Sequence, residues 1–270
     1  MQKATLEQGL GSVELRSMPW RPPELGLVDG RLDPYKVLVS EMMLQQTQVA
    51  RVAPKYREFI ARYDSFSALA AASQVEVLRL WQGLGYNRRA KYLLEAAKEL
   101  AKLADSPTLE QLMALNGVGY NTAAAIRVYS LNEPLVFIET NIRTVVGHYF
   151  FLDRQDQVAD SEIQKIMESI VPSEDPRTWY YKMMDHGAIL KKSPSSKSMN
   201  SFKSYSKQSA FEGSRRQLRG QCLRLLLEEP RDIGSLVDMT GDKDRTESVV
   251  LELQKEGLLA KDKDLWRVAG

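Results

Sequence analysis

Helix signals recur along most of this chain at intervals too short to leave room for a sheet. Asp33-Pro34 supplies an N-cap residue followed by proline at the first helical position. Ser73 with Glu76, and Thr108 with Gln111, have the spacing of capping boxes. Asp175-Pro176 repeats the first signal ahead of Trp179, Met183 and Met184. Short breaks at Asp64-Ser65, Gly83-Leu84-Gly85, Ser106-Pro107 and Gly117-Val118-Gly119 join one helix to the next. Only Leu135-Val136-Phe137-Ile138 reads as extended. The region from about 20 to 191 is therefore predicted to be mainly α.

Beyond it the pattern changes. Ser193 to Ser209 is rich in Ser and Lys and poor in large apolar residues, as in a flexible linker. A small unit follows, with helices predicted over Arg216–Leu227, Ile233–Val237 and Arg245–Glu256, the last closed by Gly257. Leu258-Leu259-Ala260 and Leu265-Trp266-Arg267-Val268, around a turn at Lys261 to Asp264, read as a β-hairpin. Three helices and a hairpin make a winged-helix-like pattern. The domain reading is thus 1–192, a basic linker over 193–213, and 214–270.

Charge and cysteine usage narrow the function. The net charge is only +2, yet Lys191 to Gly220 carries eight basic residues against Glu212 alone, a local excess of +7. A solvated linker and an electrostatic footprint on a polyanion both account for it. The single cysteine, Cys222, excludes an intrachain disulfide and a multi-cysteine metal site within this sequence. A reducing cytoplasm fits that usage. No signal peptide is read at the N-terminus, and no apolar run is long enough to span a bilayer.

Three segments carry chemistry. In Asp33 to Gln48, DPYKVLVSEMMLQQTQ, Glu41 stands one turn from Val37, Leu38 and Leu44. Desolvation along an apolar stripe would raise its pKa and let it hold a proton, as a general acid must. A surface Glu, or one paired with an arginine, fits the same spacing. Gln45 is one turn further on, with Gln46 and Thr47 at the helix end. In Leu112 to Ala125, LMALNGVGYNTAAA, two glycines flank a valine between helices. The pattern L-x-G-V-G-x-x-T-A is a helix-hairpin-helix signature, in which backbone N–H groups at the second helix start can face a phosphate. In Phe137 to Val146, FIETNIRTVV, Glu139 precedes a helix and lies close to Asn141. Such a carboxylate is either a helix cap or a fixed negative charge for a cationic transition state.

These segments, in this order, resemble the MutY and endonuclease III superfamily of base-excision DNA glycosylases. The resemblance runs from Pro19-Trp20-Arg21 to Lys192. SEMMLQQTQ, LWQGLGYNRRA and MMDHGA are similar to the MutY-type adenine glycosylases in particular. The resemblance implies a two-lobed helix-hairpin-helix glycosylase fold with the active site in the cleft between lobes. It implies base-excision repair of adenine mispaired with 8-oxoguanine or guanine. Glu41 matches the family's general acid, Glu139 its catalytic aspartate and Asn141 the nearby asparagine. Gln45, Gln46 and Thr47 match positions that contact bases around the lesion, and Tyr86 an aromatic wedge. Gly117, Val118 and Gly119 match the hairpin. Arg88, Arg89 and Lys91, just after Tyr86, are expected to meet phosphates or to form a solvated helix face.

The chain departs from the family pattern in four places. Glu139 stands where the family has aspartate. Asn121 stands where bifunctional relatives carry a Schiff-base lysine, so a monofunctional enzyme is expected. The Ser/Lys stretch stands where a four-cysteine cluster loop would follow Lys192, so the iron–sulfur cluster, and any metal, is expected to be absent. The C-terminal unit replaces the usual 8-oxoguanine-recognition domain, and Glu247, Glu252 and Glu256 on its third helix favour a packing role. A monomer acting on double-stranded DNA with a mispair, without a membrane, in the cytoplasm near the nucleoid, completes the expectation. A thymine or uracil mismatch glycosylase on the same scaffold and a catalytically inactive lesion-binding protein are the alternatives. His186, Trp81, Trp179 and Tyr181 are expected to be packing residues.

Overall fold

The structure is a computed structural model and describes residues 2–151, 158–192 and 211–270. Its helices are α1 (Gln2–Gly11), α2 (Pro34–Leu44), α3 (Val49–Arg62), α4 (Phe66–Ala70), α5 (Gln74–Trp81), α6 (Arg88–Leu100), α7 (Leu109–Met113), α8 (Tyr120–Leu131), α9 (Thr140–Phe150), α10 (Asp160–Ile170), α11 (Pro176–Leu190), α12 (Arg215–Glu228), α13 (Ile233–Thr240) and α14 (Lys243–Lys255). Strands β1 (Leu259–Asp262) and β2 (Leu265–Val268) pair antiparallel, Leu259 opposite Val268. The mainly α reading holds.

Local chemistry explains the boundaries. Ser73 accepts from the Glu76 N–H at 3.2 Å while the Glu76 carboxylate accepts from the Ser73 N–H at 3.0 Å. Thr108 and Gln111 reciprocate in the same way, at 3.2 and 2.8 Å. Asp175 caps α11 through the Thr178 N–H, with Pro176 at its start. Asn132 ends α8 in the left-handed region, φ +59°. One expectation needs correction. Residues 135–138 form no strand: the connection before α9 pairs with no ladder. Helix α1 was not anticipated, since its sequence lacks an amphipathic stripe; Leu6 and Leu10, one turn apart, bury it.

The described residues divide into two compact units. One comprises residues 2–37, 107–114, 118–151 and 158–192. In it α9 and α11 pack against each other and against α1, around Phe137, Val145, Tyr180 and Met183, each fully or almost fully buried. Arg21 pairs with Asp185 at 2.8 Å, both buried, and lies 4.5 Å from the Tyr181 ring centre.

The second unit comprises residues 38–106, 115–117 and 211–270. Helix α6 packs on α4 and α5, and α12 packs on α14, α13 and α5. Met42, Met43, Phe59, Trp81, Leu93, Cys222, Val249 and Leu253 are at most 2% exposed. The C-terminal segment is tied to the earlier helices by polar contacts. Arg79 donates to the Leu227 carbonyl at 3.1 Å, Gln74 to those of Gly257 and Ala269 at 3.0 Å each, and Lys91 to that of Glu256 at 2.8 Å. The expected linker lies outside the described residues over 193–210.

Candidate active site and DNA interface

Glu41 sits on α2, half-buried, beside Leu38, Met42 and Met43, which are fully buried. Helix ends leave carbonyls without partners. At the end of α2 these are gathered by Arg89. Its Nη1 donates to the Met42, Met43 and Gln45 carbonyls at 2.7, 3.1 and 2.6 Å. Its Nη2 donates to Thr47 Oγ1 at 2.9 Å and to the Leu84 and Gly85 carbonyls at 3.4 and 3.2 Å. Burial pulls the Arg89 pKa down to about 10, so the cation persists at neutral pH. A cation at a helix C-terminus also meets the negative end of the macrodipole.

The expectation that Arg89 meets phosphates is therefore corrected: it is 7% exposed and spent on backbone carbonyls. Neighbouring residues on a helix point about 100° apart, so Arg88 faces out where Arg89 faces in. Arg88 is exposed and lies 4.0 Å from Glu256. Lys91 is used on the Glu256 carbonyl. No spacing rule marks Arg89; three of its five carbonyl partners lie more than forty residues away.

The polar residues around Arg89 occupy an unusual backbone. Gln46 and Tyr86 both have positive φ, 54° and 48°, a region costly for side chains of this size. Gln46 is exposed, Thr47 bridges Arg89 and the Leu84 carbonyl, and Gln45 donates to the Gly117 carbonyl at 3.2 Å. Tyr86 is 39% exposed, its ring centre 5.4 Å from the Arg89 guanidinium. The Tyr86 hydroxyl lies 3.5 Å from Arg216 Nη1.

At the hairpin, Gly117 has φ +77°, and a Cβ there would meet the Tyr92 ring at 2.6 Å. Only glycine satisfies both constraints. Val118 is buried and Gly119 is the N-cap of α8, with no side chain to occupy its first N–H groups. Asn121 is exposed; its Oδ1 accepts from the Ile138 N–H at 3.1 Å and so steadies the chain leading to Glu139. The Tyr180 hydroxyl adds to this, donating to the Leu135 carbonyl at 3.0 Å and accepting from the Phe137 N–H at 3.2 Å.

Glu139 is the N-cap residue of α9, yet its side chain caps nothing there. Burial pushes its pKa above the usual carboxylate range, while the charges of Arg143 and Lys191 pull it back. Arg143 is itself held by Asp160 through two bonds of 3.0 and 2.8 Å. Asn141 donates to the Met184 carbonyl at 3.1 Å and accepts from Lys191 Nζ at 2.6 Å. Lys191 is exposed as a residue, yet partial desolvation around its ammonium lowers its pKa, with Glu139 opposing. Gly187 lies against the Asn141 backbone, where a Cβ would collide with it. In sequence Lys191 is one charge of the basic run and nothing marks it out; its partners lie about fifty residues upstream.

Trp81, Trp179 and Tyr181 are buried, as expected. His186 is half-buried against the Tyr149 hydroxyl at 2.9 Å. Among the described residues no group of three or more His, Cys, Asp or Glu is placed to hold a metal ion. The family's four-thiolate cluster does not fit this chain. Cys222 is its one cysteine, buried in α12 with its thiol pushed up to about 11. The stretch where the cluster loop would fall, from residue 193, lies outside the described residues. Among the described residues no helix is long and apolar enough to cross a membrane.

Comparison with known proteins agrees with this geometry. A protein named adenine DNA glycosylase from Mycolicibacterium smegmatis is 33% identical over 178 residues, 65% of this chain and 58% of that protein. One of the same name from Mycobacterium tuberculosis is 40% identical over 135 residues, 49% of this chain and 42% of that protein. The human protein of that name is 31% identical over 185 residues, 66% of this chain and 34% of its own length. The chain thus spans about half the length of the curated relatives it matches. Two solved structures share the fold. A thermostable thymine-DNA glycosylase has a TM-score of 0.57 at 24% identity, covering 70% of this chain and 86% of its own. A non-covalent endonuclease III–DNA complex has a TM-score of 0.55 at 19% identity, covering 67% and 82%. The model of the HhH-GPD superfamily base excision DNA repair proteins matches residues 39–173, half of the sequence. With the glycine hairpin and the two acidic segments in their expected order, the chain belongs to the HhH-GPD superfamily of base excision DNA repair proteins.

Proposed function

We propose that this protein is a monofunctional adenine DNA glycosylase, hydrolysing the N-glycosidic bond of adenine opposite 8-oxoguanine or guanine. The observation that carries the reading is Glu139. It stands at a helix start without capping it, within the field of two cations, one of which holds Asn141. That is a carboxylate reserved for something other than the fold.

An adenine in duplex DNA must leave the stack to be reached, at a cost of roughly a few kcal/mol. Gln45, Gln46, Thr47 and Tyr86 contact the bases around the gap, and Tyr86 wedges into the stack. Gly117, Val118, Gly119 and the start of α8 bind backbone phosphate, with Arg88 adding positive charge. Glu41 protonates the departing base. Glu139, ionised, faces the sugar cation, and Asn141 helps hold it in place. Water completes hydrolysis, because Asn121 offers no amine for a Schiff base.

Two carboxyl groups in different protonation states predict a bell-shaped pH dependence. Because burial raises the Glu139 pKa, the acid limb falls above the pH of an ordinary glutamate.

The test is base release from duplexes that each carry one defined mispair. Release of adenine opposite 8-oxoguanine or guanine, leaving an abasic site without strand cleavage, is the expected result. Release of thymine or uracil opposite guanine replaces the substrate assignment. Binding without release from any duplex reduces the protein to a lesion-binding one.

A further inference from the structure

Residues 132–139 belong to no helix or strand, yet Phe137 and Ile138 are buried. A buried N–H outside a helix or sheet must find its acceptor elsewhere. The Tyr180 hydroxyl of α11 serves Phe137 at 3.2 Å, and Asn121 Oδ1 serves Ile138 at 3.1 Å. Asn121 acts closer to Glu139, on the residue immediately before it. On the other side the Glu139 carbonyl already belongs to α9, accepting from the Arg143 N–H at 2.9 Å. The Glu139 backbone is thus held from both sides, while its side chain takes no part in capping α9. Asn121 is itself exposed, in the first turn of α8, and its Oδ1 is turned onto a peptide 17 residues away. An N–H can meet only an acceptor, so the amide orientation is fixed, with Oδ1 toward Ile138 and the NH2 group away from it.

We propose that Asn121 is a positioning residue for Glu139, tying the peptide before that carboxylate to the first turn of α8. This role rests on the reading of Glu139 as the group that faces the sugar cation. Helix α8 starts at Gly119, and the N–H groups that follow are read as the phosphate site. A duplex gripped there and the carboxylate that acts on it are then registered to each other through one side-chain amide. Register matters, because misplacing a reacting group by about 1 Å can cost about 10²-fold in rate. Asn121 touches neither base nor sugar in this role; it acts through the Ile138 peptide.

The experiment measures single-turnover adenine release from an adenine:8-oxoguanine duplex by the full chain at saturating protein, across pH, beside affinity for the same duplex. Asn121→Ala leaves the Ile138 N–H without its acceptor and is expected to slow release by about 10- to 10²-fold with affinity kept. Asn121→Asp keeps an acceptor oxygen in the same place and adds a negative charge near Glu139. It is expected to regain most of the lost rate at high pH and to move the acid limb upward, because a like charge disfavours ionised Glu139. A role confined to stability moves neither the rate at saturation nor the limb. Normal release by Asn121→Ala at saturating protein overturns the proposal, and so does a loss of affinity alone, which makes Asn121 a DNA contact. An unmoved limb in Asn121→Asp overturns it as well, whether or not Asn121→Ala folds. Glu139→Gln tests the underlying reading separately. Normal release by that variant removes Glu139 from the reaction, whereas slow release beside a normal Asn121→Ala sinks only the positioning role.

Discussion

The two acidic segments use their cations in opposite ways. At the end of α2, Arg89 is turned toward backbone carbonyls and holds the chain that follows Glu41. At the start of α9, Arg143 and Lys191 act on the carboxylate itself, and Lys191 also grips Asn141. In the first region positive charge fixes geometry; in the second it bears on protonation. A buried arginine that meets carbonyls and a hydroxyl, and no carboxylate, satisfies their lone pairs and the helix dipole. A cation next to a buried carboxylate offsets part of the desolvation that would otherwise keep the acid protonated.

The sharpest way to break this comparison is to neutralise each acid. Glu41→Gln is expected to lower base release by about 10²- to 10⁴-fold while DNA affinity is kept, since a proton donor is lost and phosphate contacts are not. Single-turnover release measured beside binding checks it; normal turnover removes Glu41 from the acid role. Glu139→Gln is expected to cost about 10²- to 10³-fold in release, with no loss of thermal stability at pH 7. The sign follows from the raised pKa. Its contribution is favourable below the unfolded pKa and is lost as pH rises through the folded one, so the neutral isostere removes a cost. A lowered melting temperature at pH 7 contradicts this.

Arg89→Met tests the geometric arm. It strips partners from five carbonyls and one hydroxyl and is expected to destabilise the fold by roughly 2–4 kcal/mol in denaturant titration. Gly117→Ala adds a Cβ at φ +77° against Tyr92. It is expected to cost about 1–3 kcal/mol and to weaken binding to undamaged and mispaired duplexes alike. Lys191→Met has the smallest and most informative effect. Removing a charge that favours ionised Glu139 moves the acid limb of the release profile to higher pH. An unmoved limb separates Lys191 from Glu139, and Lys191→Arg should restore it.

What could be read in advance was chemistry confined to a few consecutive residues. Capping boxes at Ser73 and Thr108 and the proline starts at Pro34 and Pro176 are decided by partners within four residues or so, and the hairpin at β1–β2 by partners within ten. The Gly117-Val118-Gly119 turn was equally legible, because glycine at positive φ needs no distant partner to explain it. Helix α1 escaped, since its two buried leucines make no pattern until α9 and α11 are there to cover them.

The sequence by itself determined the helical class and the order of the acidic and glycine segments. Only tertiary structure decided which charged side chains serve the backbone, which serve a carboxylate and which face outward. Arg88 and Arg89 are adjacent and alike in sequence, and opposite in burial. Lys191 and Arg216 belong to one basic run, yet the first meets Asn141 and the second Tyr86. A charge takes its role from what the fold brings within a few ångströms of it, and those partners lie tens of residues away along the chain.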